Sequence, residues 1–372
     1  MKKIVGIIAA VAMAASVFAA EISGGVRLGG DLFNYDGTYE AAKALMLKNQ
    51  NRNWEAPLTL SITSDRAGGT FKFWDNESNA FETGKWNIWF KPMDMLQVNL
   101  GAIDKAMNTE SITWTNRLIN YDSFGASLDI NIDAFTATLS IVPGNGAYWF
   151  SDGKTELAAD VEKAYIETFA VDPDNPTDAE KAAAKAAGIA AAKNLDTDAT
   201  LSELNLYAAY SADFGTISFM FDAKDTFKDL AVGAGYKNTF DPITVFADFA
   251  FYSKKASKDD DPVNAIGFDA DVAYAQDALS AQLYLQWKAT NIKTIKKETM
   301  TLMAIAKVAY TLDKGTVWLK FNDGNLMAEK FAAVIEPGWT SSVGIMDYEI
   351  SANFDVKEKV NISIPVNFKV SF

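Results

Sequence analysis

Asp269 and Asp271 stand two apart in "IGFDADVAY", so an extended backbone holds both carboxylates on one face. Two neighbouring carboxylates attract cations, and a carboxylate pair can cleave glycosides without histidine. Two other stretches are rich in oxygen ligands: "SKDDDPVN", with Asp259, Asp260 and Asp261, and "VDPDNPTDAE", with Asp172, Asp174, Asn175 and Asp178. Such oxygens suit Ca2+. Neither stretch has the calcium-loop spacing with its closing glutamate, so both read as solvated loop charges. The 372-residue chain has no histidine and no cysteine. That removes Ser-His and Cys-His nucleophile pairs, imidazole zinc sites and disulfide staples. Loose carboxylates without a constellation predict no enzyme, no cofactor and no metal centre. They leave a hydrated wall as the role of Asp269 and Asp271.

The elements that must carry these residues follow a period of two. Leu204, Leu206, Ala208 and Tyr210 share one face, while Glu203, Asn205, Tyr207 and Ala209 share the other. The unit recurs in Ile217–Phe221, Leu230–Tyr236, Ile243–Phe251, Ile266–Tyr274, Leu279–Trp287, Leu302–Tyr310 and Val317–Phe321, and less cleanly towards the N-terminus. No charged residue falls on these apolar faces. The opposite faces carry Arg27, Asp31, Lys72, Lys85, Asp129, Asp222, Asp248, Asp269, Asp271, Lys307, Lys320 and Glu349. Tight turns such as "ADFG" and "LDKG" alternate with longer polar connections such as 253–264 and 288–298. A soluble sandwich also alternates, but it must share one core between two sheets. Unbroken apolar faces with alternating short and long connections predict an all-β fold, a transmembrane antiparallel β-barrel of about 16–18 strands. Its apolar face meets lipid and its charged face lines the pore. Clear hairpins give an odd strand count. A strand over 329–336, "EKFAAVIE", with a turn at "PGWT", brings the count to about eighteen, and discounting one weak N-terminal strand brings it to about sixteen.

Aromatics mark the ends of the apolar rows. Tyr210, Tyr236, Tyr274, Tyr310 and Phe354 are expected to form a girdle at one membrane interface, and Phe372 ends the last row. Residues 144–202 interrupt the pattern as a helical insertion in one long loop. Leu157, Val161, Tyr165 and Phe169 make one stripe on its first helix. Thr177 and Glu180 have capping-box spacing before an Ala-rich second helix. The stripe wants a surface, so these four residues are candidates for a constriction or plug on the barrel's inner wall. The other expectation is a surface hairpin with no part in transport.

The first residues, "MKKIVGIIAAVAMAASVFAAE", join a basic start to a short apolar run and a small-residue site. This predicts a signal peptide over 1–19 and a single barrel domain over 20–372. The net charge of −14 becomes more acidic by two when Lys2 and Lys3 leave, which argues against nucleic acid as a partner.

The last residues, "VNISIPVNFKVSF", alternate strictly from Val360 to Phe372. They resemble the C-terminal strand of bacterial outer-membrane proteins, which the barrel-insertion machinery reads. The whole chain looks like an outer-membrane porin. Its start, "AEISGGVRLGGDLFNYDG", has the look of spirochaete outer-membrane proteins. The resemblance implies residence in the cell outer membrane and passive diffusion of small hydrophilic solutes or ions. Lipid and the insertion machinery are the implied partners, with a homo-oligomer and a host-surface ligand as further ones. Two alternatives remain at this point: a surface adhesin or antigen mounted on a structural barrel, and a transporter for an apolar nutrient. The latter rests on Trp74, Trp89, Phe246, Tyr284 and Trp318, which point inward by parity.

Overall fold

A computed structural model describes residues 19–35, 48–49, 58–75, 81–106, 118–143, 153–169, 176–193, 201–224, 227–255, 261–357 and 360–371. The signal-peptide reading and Phe372 lie outside the described residues. The strands run β1 Ala19–Tyr35, β2 Lys48–Asn49, β3 Leu58–Thr63, β4 Ala67–Asp75, β5 Phe81–Met93 and β6 Leu96–Ala106. They continue through β7 Asn120–Ile132, β8 Phe135–Pro143, β9 Leu201–Ala212, β10 Gly215–Lys224, β11 Asp229–Phe240, β12 Ile243–Lys254 and β13 Val263–Gln276. The last are β14 Leu279–Ala289, β15 Met300–Leu312, β16 Gly315–Asp323, β17 Ala333–Val343, β18 Met346–Ser351, β19 Asn353–Val356 and β20 Val360–Ser371. Helices α1 Gly153–Phe169 and α2 Asp178–Lys193 stand between β8 and β9.

All twenty strands form one antiparallel sheet, and β1 pairs with β20 from Gly25↔Ser371 to Tyr35↔Ile362, so the sheet closes on itself. Closure leaves no edge with unpaired backbone groups. β2 and β3 both pair with β1 and share one place in the wall. β18 and β19 both lie between β17 and β20 and share another. Among the described residues the wall therefore has eighteen places, an even number within the expected range. The extra strand arises at β17, but not as the sequence suggests. β17 runs straight through "PGWT", and the turn comes at Gly344, whose φ of 62° lies in the left-handed region that favours glycine.

The two faces of this wall are inverted relative to a soluble sheet. Outward residues such as Phe249, Leu283 and Leu319 are exposed, whereas inward Asp248, Asp269 and Tyr284 are buried. Exposed large apolar side chains recur around the strands, which is the arrangement a lipid solvent requires. No described helix is long and apolar enough to cross a membrane. At the short-turn end, inward hydroxyls bridge the two strands within a hairpin: Ser211 with Thr216 at 2.9 Å, Thr239 with Thr244 at 3.1 Å and Thr311 with Thr316 at 3.2 Å. These cross-strand pairs fix the register beside each turn.

One row of the wall is interrupted across four neighbouring strands. In β17, Pro337 has no N–H to give to the ladder. Beside it the next strand breaks at Ala352, whose N–H donates to the Pro337 carbonyl at 2.9 Å. In β20, Pro365 faces Asp31, where β1 bulges and carries Leu32 as an extra residue. Pairings on either side, Gly338↔Ser351 with Ile350↔Val366 and Ile335↔Phe354 with Asn353↔Ser363, put all four irregularities at one height.

Candidate functional site

The inward face is cross-linked by its own polar side chains. Asp248 and Asp269 stand directly opposite on β12 and β13. Tyr284 Oη donates to Asp269 Oδ2 at 3.0 Å, Gln286 Nε2 donates to Tyr284 Oη at 2.6 Å, and Gln282 Nε2 donates to Asp271 Oδ2 at 2.7 Å. Asp269 and Asp271 thus share a face as the sequence implies. They are engaged by wall neighbours, and no described group of three His, Cys, Asp or Glu side chains could hold a metal.

A second network joins β6, β7 and β8. Asn99 Nδ2 donates to Ser127 Oγ at 3.0 Å and to Asp129 Oδ2 at 2.8 Å, and Thr138 Oγ1 donates to Asp129 Oδ1 at 2.6 Å. A third joins β15 to β18. Lys320 pairs with Glu336 at 3.5 Å, Ser351 Oγ donates to Glu336 Oε1 at 3.2 Å, and Lys307 Nζ lies 5.1 Å from the centre of the Trp318 ring. Trp318 lies so close over Gly338 that a Cβ there would sit 2.2 Å from the ring.

Register puts Lys72, Asp129, Asp222, Asp248, Asp269, Asp271, Lys307, Lys320 and Glu349 on the face opposite the apolar rows, and Lys85 falls where the β4–β5 register shifts. Asp31 sits at the bulge of β1, and the backbone of Arg27 pairs with Lys369, its side chain lying outside the described ones. Of the inward aromatics, Phe246, Tyr284 and Trp318 are buried, Trp89 is half-buried with Lys91 Nζ 5.5 Å from its ring centre, and the side chain of Trp74 lies outside the described ones. Lys237 Nζ lies 5.0 Å from the centre of the Phe246 ring.

Tyr210, Tyr236, Tyr274 and Tyr310 stand at one end, beside the short turns. Tyr236 Oη donates to the Phe214 carbonyl at 2.7 Å. Trp339, paired with Val317, joins this row and was not apparent from the tyrosine spacing. Phe354 is a correction. It lies on the apolar face, paired with Ile335 and Ile362, but next to the β19–β20 connection at the opposite end of the barrel.

Within the insertion the two helices pack on each other. Thr177 and Glu180 form the capping box, with Thr177 N donating to Glu180 Oε2 at 2.7 Å and Glu180 N to Thr177 Oγ1 at 3.3 Å. α1 packs against α2, whose buried positions Ala184 and Gly188 are small and four apart. Tyr165 and Phe169 stack on each other at 4.9 Å, and Phe169 remains exposed. The side chain of Leu157 lies outside the described ones, and Val161 is half-buried.

A different segment enters the barrel. Leu118 and Ile119, just before β7, are buried against inward residues of four strands: Ile103 of β6, Met220 of β10, Ala231 of β11 and Ala250 of β12. Tyr252 Oη donates to the Leu118 carbonyl at 2.6 Å. A Cβ at Gly267 would lie 2.8 Å from Leu118 Cδ2, so β13 gives way there as well. The sequence held a signal for this docking. Ile103, Met220, Ala231 and Ala250 are apolar residues on a largely polar face, and they cluster near one end of it.

A closed, eighteen-place antiparallel barrel with an apolar exterior, a polar interior and a segment folded onto its inner wall has the fold of bacterial outer-membrane porins. Among solved structures, the chain is similar to three Pseudomonas aeruginosa proteins. It matches OpdL with a TM-score of 0.51 at 9% identity, covering 96% of this chain and 98% of that one. For OccK3 (OpdO) the TM-score is 0.51 at 9% identity, covering 95% and 96%. For OccK2 (OpdF), solved in complex with glucuronate, it is 0.51 at 8% identity, covering 95% and 97%. No protein-family model and no curated protein matches the sequence.

Proposed function

We propose that the protein is an outer-membrane porin through which small hydrophilic solutes or ions diffuse passively. The observation that carries this reading is the inverted wall, apolar outside and charged inside, closed around eighteen places. A barrel of that size encloses more space than its inward side chains fill. Sieving then depends on what narrows the lumen and on the charge of the wall. We assign the narrowing to the segment around Leu118–Ile119, which docks on the inner wall through Tyr252. The helical insertion, whose two helices pack on each other and whose Phe169 stays exposed, is left to the mouth or the surface. Lipid and the barrel-insertion machinery are the partners this reading needs, and it involves no catalytic step or cofactor.

Single-channel recording in a planar bilayer tests the proposal. The full protein is expected to give discrete conductance steps. Replacing Leu118 and Ile119 by glycine should raise the step size, while replacing 150–200 by a short Gly/Ser loop should leave it unchanged. A folded barrel with no conductance would end the porin reading. A rise confined to the insertion deletion would return the constriction to α1.

A further inference from the structure

Residues 290–299, "TNIKTIKKET", join β14 to β15 and carry three lysines against one glutamate, in a chain whose net charge is −14. The lipid-facing row of β15 fixes where this connection stands. Tyr310 in the girdle and Met300 at the other end of that row are ten residues apart. At about 3.4 Å per residue and a tilt of about 40°, such a row climbs about 26 Å, the height of a barrel's apolar band. The connection therefore begins where the second membrane surface begins. Two short 3-10 turns, Ile292–Thr294 and Lys297–Thr299, give it a fixed shape. Asn291 Oδ1 accepts from Lys293 N at 2.9 Å, Lys296 N donates to Thr299 Oγ1 at 2.9 Å, and Thr290 N donates to the Thr299 carbonyl at 2.8 Å. Lys293, Lys296 and Lys297 are exposed, and among the described residues none of them has a carboxylate partner. Ile292 and Ile295 interleave with them and are 36% and 52% exposed. Leu326, from the β16–β17 connection, is exposed as well and tied alongside, its N–H donating to the Leu302 carbonyl at 2.7 Å.

We propose that this connection is a docking surface for anionic phospholipid headgroups at the long-loop side of the membrane. The lysines meet the phosphate, and Ile292, Ile295 and Leu326 meet the top of the acyl region. Charge complementarity selects the headgroup: basic residues within a Debye length of an anionic surface, about 8 Å, add about fivefold in affinity each. The apolar side chains select a lipid over a soluble phosphate, which would leave all three of them in water. The proposal needs the barrel in a membrane and no conduction, so it stands or falls apart from the channel reading.

Native mass spectrometry of the detergent-solubilised full chain tests it. The probes are phosphatidylglycerol, phosphatidylcholine with the same acyl chains, and sn-glycerol 3-phosphate. Phosphatidylglycerol should bind at least tenfold tighter than phosphatidylcholine, and sn-glycerol 3-phosphate should not displace it. Lys293→Gln, Lys296→Gln and Lys297→Gln together should weaken phosphatidylglycerol at least tenfold. Lys293→Arg, Lys296→Arg and Lys297→Arg together should keep it. A control removes the same charge elsewhere: Lys163→Gln, Lys181→Gln and Lys185→Gln in the helical insertion should leave binding unchanged. Circular dichroism checks that each variant keeps its strands. Equal binding of the two lipids, equal weakening by the two glutamine triples, or loss in the arginine variant would overturn the proposal. Displacement of the lipid by sn-glycerol 3-phosphate would overturn it too, making the loop a site for soluble phosphates.

Discussion

At Gln282 and Leu283 two adjacent residues live in opposite solvents. Leu283 is exposed on the apolar face, paired with Val272 and Ala306. Gln282 faces inward and donates to Asp271. Leu283→Arg should cost about 2–4 kcal/mol of barrel stability, the usual charge for a cation at mid-membrane on the lipid side. Gln282→Arg should be tolerated, because Asp271 offers it a partner. Urea titration of refolding into vesicles measures both, and equal tolerance would contradict the assignment of faces. This alternation was legible residue by residue, since strand parity alone decides which side chain meets lipid. The partners were not. Nothing in the chain order announces that Tyr252 reaches Leu118 across 134 residues, because closure of the wall, rather than local pattern, brings them together.

Elements were legible where alternation was clean and obscure where it broke. From β9 to β16 the apolar rows, turns and tyrosines stand where the period predicts. β17 was harder to read. "PGWT" has turn composition, but the ladders to β16 and β18 outweigh it, and Pro337 is carried inside a strand. The insertion's stripe is legible in the sequence, where the inner wall or the rim is the nearest surface for it; in the fold α1 packs against α2 beside the small residues Ala184 and Gly188, and Phe169 stays exposed. The interrupted row through Pro337, Ala352, Pro365 and Leu32 has a measurable consequence at this scale. Amides next to missing ladder bonds open at lower free energy than those in continuous strands. In hydrogen exchange, Gly338, Asn353 and Val366 should exchange faster than amides at the same height in β12–β14. Uniform protection around the barrel would remove the interruption as a weak line.

For the whole molecule, the even number of places and the closure of β1 on β20 follow from a physical necessity that the alternation already implied: no ladder edge can face hydrocarbon. What alternation could not supply was the interior, where a short apolar patch on a polar face recruits Leu118–Ile119. The interrupted row also gives the wall unequal elasticity. A continuous ladder makes each panel of a barrel stiff along its strands, whereas the panel from β17 to β1 is creased across its middle. When lipid chains shorten, a barrel must shed hydrophobic height by tilting, by thinning its surroundings or by bending. This one has a panel on which to bend. Spin labels above and below the crease, on Ile335 and Val343, should draw together in short-chain bilayers, while a pair on Val308 and Leu302 keeps its separation. Membrane thickness would then act on one side of the barrel and leave the other three-quarters of its wall nearly rigid.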